Sequence, residues 1–180
     1  MIIHKAAKRY AQALFEFSIQ QDSLDAVHGD IKFFLNLIST TTELRSFLQN
    51  PELSSPQRQK IIDALFKDRV APLSHKLLSL LIRKNRLDIL ESVCEIFINL
   101  YMDYKNIIRV TVTTPKNLAK DQIELICQKL KSRFRKEIQP TMEIKPELIG
   151  GFKLQLGDLI YDFSIQSQLE KFKRNIINAQ

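Results

Sequence analysis

Near residue 105 the apolar spacing of this chain changes period, and that change constrains the architecture more than any other feature. Up to Lys105 the apolar residues recur every three or four positions; from Ile107 they alternate, beginning with "IIRVTVTTP". A period of 3.6 turns one helix face to a core, and a period of two does the same for a strand. A helical stretch followed by a mixed one reads as an α+β chain with its helices segregated at one end. The expected organisation is an antiparallel bundle of about six helices over residues 1–105, then a small α/β domain over 106–180. The 180 residues and 44% hydrophobic content are enough for two small cores.

In the first half, Ala6, Tyr10, Ala13, Leu14 and Phe17 mark one helix. Leu24, Val27, Ile31, Phe34, Leu35 and Ile38 mark a second, with Asp22 as its expected N-cap. Leu44, Phe47 and Leu48 suggest a short third helix that Asn50-Pro51 stops. Ser55-Pro56 reads as an N-cap and first helical position, opening a fourth helix with Ile61, Ile62, Leu65 and Phe66 inward. Pro72 opens a fifth, and Asn85 suits its left-handed end. Leu90, Val93, Phe97, Leu100 and Tyr104 mark a sixth.

The second half reads as a strand over 107–115, a helix over 121–136 and a short strand over 141–144. Two alternating runs, 152–156 and 159–163, then flank Gly157-Asp158 as a hairpin. Ser164 caps a last helix with Ile165, Leu169, Phe172 and Ile176 on one face. Part of that face is expected to pack on the small sheet and its end to stay free. Three of the four glycines, Gly150, Gly151 and Gly157, lie in this hairpin region. No Gly-Lys-Ser/Thr follows them and no helix opens from them, so they do not form a phosphate loop. They read as turn positions, with Asp158.

Catalytic and metal signatures do not converge. His4, His28 and His75 are scattered, Ser164 lacks an elbow context, and Asp158 and Asp162 have no companion cluster. No cofactor is expected. Cys94 and Cys127 stand apart and suit a reducing compartment as small core residues. No apolar run reaches the length of a membrane helix, and the N-terminal stretch reads as a first helix rather than a secretory signal. The net charge of +7 is uneven: 14 Lys+Arg against 12 Asp+Glu through Lys105, then 13 against 8. That excess is compatible with nucleic acid, an acidic membrane surface or an acidic protein. A basic nucleic-acid-binding protein is therefore the alternative, and steeply salt-dependent binding in a mobility shift is its test.

Two helices are apolar on more than one face. The fifth carries leucines at 73, 77, 78, 80 and 81 with Ile82, and the first carries a second row of Ala7, Ala11 and Phe15. Either both are deeply buried or each has a face for something outside.

Three stretches together resemble the delta subunit family of bacterial and chloroplast ATP synthases, which includes the mitochondrial oligomycin-sensitivity-conferring protein. "AAKRYAQALFEFS" is similar to the family's first helix, and "LLSLLIRKNRLDILESVCEIF" to its fifth and sixth. The glycine pair, Gly157-Asp158, Asp162, Ser164 and Leu169 resemble its C-terminal signature. Phe163, Gln166, Gln168 and Asn85 depart from it, standing where members often have glycine, basic residues and glycine. The resemblance implies a non-catalytic stator subunit, one copy per complex, with no nucleic-acid partner. Its bundle would bind N-terminal segments of the alpha subunits, with Tyr10, Ala13, Phe17, Leu77, Leu78 and Leu81 as candidates. Spacing leaves open which of these are groove and which are core. The C-terminal domain would bind the stalk b subunits through Leu169, Phe172 and Ile176. The implied location is peripheral, at the cytoplasmic face of a bacterial inner membrane, in preference to a thylakoid.

Overall fold

The computed structural model describes residues 5–50, 53–157 and 159–177, with side chains through 174. Asp158 and the side chain of Ile176 lie outside the described residues. The chain divides into two compact units, residues 1–102 and 103–180.

The first unit contains α1 (Lys5–Gln20), α2 (Leu24–Thr40), α3 (Thr42–Gln49), α4 (Ser55–Phe66), α5 (Pro72–Arg83), a 3-10 turn (Leu87–Ile89) and most of α6 (Leu90–Tyr104). One core unites them, with Val27, Ile31, Phe34, Ile62, Leu78, Leu81, Val93 and Phe97 fully or almost fully buried. Phe34 meets Phe66 edge-on at 5.3 Å, and Phe15 meets Phe97 at 5.9 Å. Such pairs add to area burial because a ring edge is positive and a ring face negative. Ala7, Ala11, Leu14 and Ser18 are the buried row of α1. The small side chains serve contacts inside the bundle, and the outward face of α1 is the one with Ala13 and Phe17.

Helix ends explain two departures from the sequence reading. Asp22 has φ 49° and closes α1: the Ser23 N–H donates to the Ser18 carbonyl at 2.9 Å and the Asp22 N–H to Ile19 at 3.1 Å. This six-to-one and five-to-two pair is a Schellman ending, and Ser23, not Asp22, precedes α2. Ser54, not Ser55, precedes α4, and the Gln57 side-chain oxygen accepts from its backbone N–H at 3.0 Å. Asn85 has φ 52° and ends α5 with the same pair of bonds, Arg86 to Leu81 at 2.8 Å and Asn85 to Ile82 at 2.9 Å. The inward row of α4 is Arg58, Ile62 and Phe66, while Ile61 and Leu65 are exposed. Arg58 is buried because its guanidinium has fixed acceptors: the Asn50 carbonyl at 2.5 Å and the Asn85 side chain at 3.0 Å.

The second unit is a four-stranded sheet with two helices. Its elements are β1 (Ile107–Thr114), α7 (Lys120–Phe134), β2 (Glu137–Ile144), β3 (Lys153–Leu156), β4 (Leu159–Asp162) and α8 (Ile165–Ile177). The strand order is β2-β1-β3-β4; β1 and β2 are parallel and the other pairs antiparallel. Val110 and Val112 face Leu156 and Leu154 across the ladder, and Leu130 of α7 closes this core. Strand β2 is twice as long as the four residues expected from sequence, since it runs through Pro140. The Glu137 and Lys145 N–H groups both donate to the β1 side, at 3.0 and 2.8 Å. Direction alternates along a strand, so Pro140 points its missing donor at the free edge, where proline is tolerated.

Candidate functional site

On the first unit, α1 and α5 leave a groove of about 280 Å³ between them. Tyr10, Ala13, Leu14 and Phe17 line it from α1 and Gln21 from just past its end, and Leu73, Lys76, Leu77 and Leu80 from α5. Positions 10, 13, 14 and 17 share one helical face by their three-and-four spacing, as do 73, 76, 77 and 80. Ala13 makes room at the centre of the α1 wall. Phe17 is 52% exposed, a large apolar surface left open to water. Among the described residues Lys76 is the single charged residue of the lining.

Four of the six sequence candidates for this surface, Tyr10, Ala13, Phe17 and Leu77, therefore lie together. Leu78 and Leu81 do not: both are 0% exposed and belong to the core. Leu73 and Leu80 line the groove in their place. The apolar breadth of α5 thus has two causes, one row for the core and one for the groove.

Beside this groove, α4 and α5 frame a second concavity of about 660 Å³, lined by Ser55, Pro56, Gln59, Lys76, Ser79, Leu80, Ile82 and Arg83. His75 braces its wall through Nε2 and Asp63 Oδ1, 2.8 Å apart. Gln59 Nε2 donates to Asp63 Oδ1 at 2.7 Å and to Ser79 Oγ at 3.0 Å. His75 is thus engaged within the bundle.

On the second unit, α8 presents a different surface. Leu169 is 60% exposed and Phe172 66%, and no described side chain of α8 is buried. The expected packing of this face on the sheet is not seen among the described residues. The helix is held at its start. Ser164 Oγ accepts from the Ser167 N–H at 3.3 Å, and Asp162 Oδ1 accepts from the Ser164 N–H at 2.8 Å. Hydrogen bonding from Ser164, helped by the Lys153 ammonium 2.9 Å away, pulls the Asp162 carboxyl down to about 2.

The glycines serve this junction. Ile165 donates its N–H to the Gly150 carbonyl at 3.0 Å. A Cβ on Gly151 would lie 2.3 Å from the Phe163 carbonyl oxygen, and φ there is +80°. Gly157 turns the hairpin with φ 58°. Burial raises both thiols above their ordinary range, Cys94 strongly. Among the described residues no His, Cys, Asp and Glu group could hold a metal, and no helix is long and apolar enough to cross a membrane.

The described residues thus leave an open apolar groove on one unit and an open amphipathic helix on the other. Comparison with known proteins gives the family. The model of the ATP synthase delta (OSCP) subunit family matches residues 6–176, and the chain belongs to that family. The ATP synthase subunit delta of Symbiobacterium thermophilum is 28% identical over 180 residues, covering 100% of this chain and 97% of the relative. That of Carboxydothermus hydrogenoformans is 31% identical over 170 residues, covering 94% and 96%. The fold matches a chain in the cryo-EM structure of the Toxoplasma gondii mitochondrial ATP synthase hexamer, with TM-score 0.74, 24% identity, and coverage of 95% and 97%. A chain of the Polytomella F-ATP synthase matches with TM-score 0.52 at 25% identity, over 55% of this chain and 88% of that one. The protein is a non-catalytic structural subunit of a rotary ATP synthase and a peripheral part of that complex.

Proposed function

We propose that this subunit is the stator link of its ATP synthase, joining the alpha subunits of the catalytic head to the b subunits of the peripheral stalk. One copy per complex resists the torque that would otherwise turn the head with the rotor. The observation that carries this reading is the apolar α1/α5 groove, open to water in a protein of this family. It suits an amphipathic helix, the form an alpha N-terminal segment takes if its apolar residues recur every three or four positions. The exposed Leu169 and Phe172 row of α8 is the matching surface for the stalk, with Ile176 continuing the same spacing. The bacterial relatives support a location at the cytoplasmic face of an inner membrane, reached through the complex.

Ala13→Asp tests the head-binding half. Ala13 is exposed, so the variant folds, but a docked helix strips water from the new carboxylate without giving it a partner. Binding of the alpha N-terminal segment, measured by calorimetry, should weaken by about 1–3 kcal/mol. Unchanged affinity in the folded variant would remove the groove from the interface.

A further inference from the structure

The α1/α5 groove and the α4/α5 concavity adjoin, because Lys76 and Leu80 line both. Their chemistry differs. The groove is apolar except for Lys76 and Gln21, whereas the concavity carries two cations, Lys76 and Arg83, with Ser55, Gln59 and Ser79. Among the described residues no carboxylate lines either one. Helix α5 has no acidic residue at all. Asp63 on α4 is taken up by His75 and Gln59. Among the described residues, neither Lys76 nor Arg83 has a carboxylate partner within 4 Å.

We infer that the concavity is the second half of the docking site: it receives the acidic flank of the helix whose apolar face lies in the groove. This rests on the proposed binding of an alpha N-terminal segment and adds the partner's chemistry. Lys76 and Arg83 are seven residues apart, two turns of α5, or about 10 Å along its axis. A helix lying alongside α5 meets both cations with carboxylates two turns apart on one flank. Apolar anchors supply affinity, while the two cations fix the rotation of the docked helix about its axis and exclude a basic flank.

The test uses the full chain and a synthetic peptide of the organism's own alpha N-terminal segment, with a second peptide whose Glu and Asp are replaced by Gln and Asn. Lys76→Glu/Arg83→Glu and Lys76→Gln/Arg83→Gln variants are compared with the parent. Both sites are exposed, and circular dichroism checks that the variants are folded. Charge reversal should weaken binding of the unaltered peptide about tenfold at low salt, and less at about 0.5 M salt, where exposed pairs are screened. The neutralised peptide should bind the parent more weakly and lose little more on the variants, since the pairs are already gone. Equal binding of both peptides to parent and variants overturns the inference and leaves the groove reading intact. Failure of the unaltered peptide to bind the parent overturns both.

Discussion

Single residues in the second unit hold the hairpin to α8 by close approach and by charge. At Gly151 the backbone needs a positive φ, and the Phe163–Ser164 link between β4 and α8 leaves no room for a Cβ. Gly151→Ala should therefore destabilise the C-terminal unit by about 1–3 kcal/mol or more, seen as a lower urea midpoint. The same change at Gly29, which has nothing within 4 Å of its ideal Cβ, should stabilise α2 by about 0.5–1 kcal/mol. Asp162 acts through charge. Its folded carboxyl is depressed to about 2, below the ordinary value of 3.8, so the ionised form is favoured by the fold. The stabilisation is fully present above about pH 4 and is lost as pH falls through about 2. Asp162→Asn should flatten this part of the pH profile of the unit's unfolding relative to the parent. Parallel profiles for the two proteins between pH 4 and 2 would reject the linkage. At Asn85 the left-handed backbone was foreseeable from residue type, but its side-chain bond to Arg58 was not, because 27 residues separate the two.

Among elements, β2 shows how one residue governs an edge. Its outward backbone groups are those of even-numbered residues, and Pro140 takes the central donor away. A sheet edge with its full set of donors is a template for another strand, and proline blunts it. Pro140→Val should leave the fold unchanged, since Pro140 is exposed, and raise concentration-dependent self-association in sedimentation. The same proline explains why only the second half of β2 was legible in the sequence: Glu137, Ile138 and Gln139 alternate in step with Thr141–Ile144, but Pro140 between them reads as an interruption of a strand. The longer helices were legible because their apolar rows repeat over three or more turns, and α3 and α4 because proline marks their ends. Register within them was less so. In α4 the inward row includes Arg58, and no periodicity of apolar residues can anticipate a buried guanidinium whose acceptors come from Asn50 and Asn85. In α5 the breadth of the leucine pattern left open whether the helix is deeply buried or has a second, outer face. Only the packing shows that Leu73 and Leu80 are open to the groove, that Leu77 lines it while buried with the core, and that Leu78 and Leu81 belong to the core alone.

At the scale of the whole molecule, the two units have separate cores with no shared residue, one built on α1 to α6 and the other on the sheet and α7. Asn106, with φ 54°, breaks α6 between them, just where the apolar period changes. Under the proposed stator role each unit has one partner, so each binding function should be removable without the other. Helix α8 is the place to test this. None of its described residues belongs to the core of the second unit, so truncation after Lys171 should leave that unit's unfolding free energy within about 0.5 kcal/mol of the parent. It deletes Phe172 and Ile176, two of the three proposed stalk contacts, and shortens the apolar row that a b-subunit helix would cover. Burying a Phe side chain is worth about 1.5–3 kcal/mol, so loss of both residues should weaken b-subunit binding by at least about a hundredfold. The alpha N-terminal segment should bind the truncated chain as it binds the parent, because the α1/α5 groove is untouched. Native affinity for the b subunit after truncation would place the stalk site elsewhere on the second unit. Equal loss of both partners, with the bundle still folded, would instead couple the two sites and end the two-ended description.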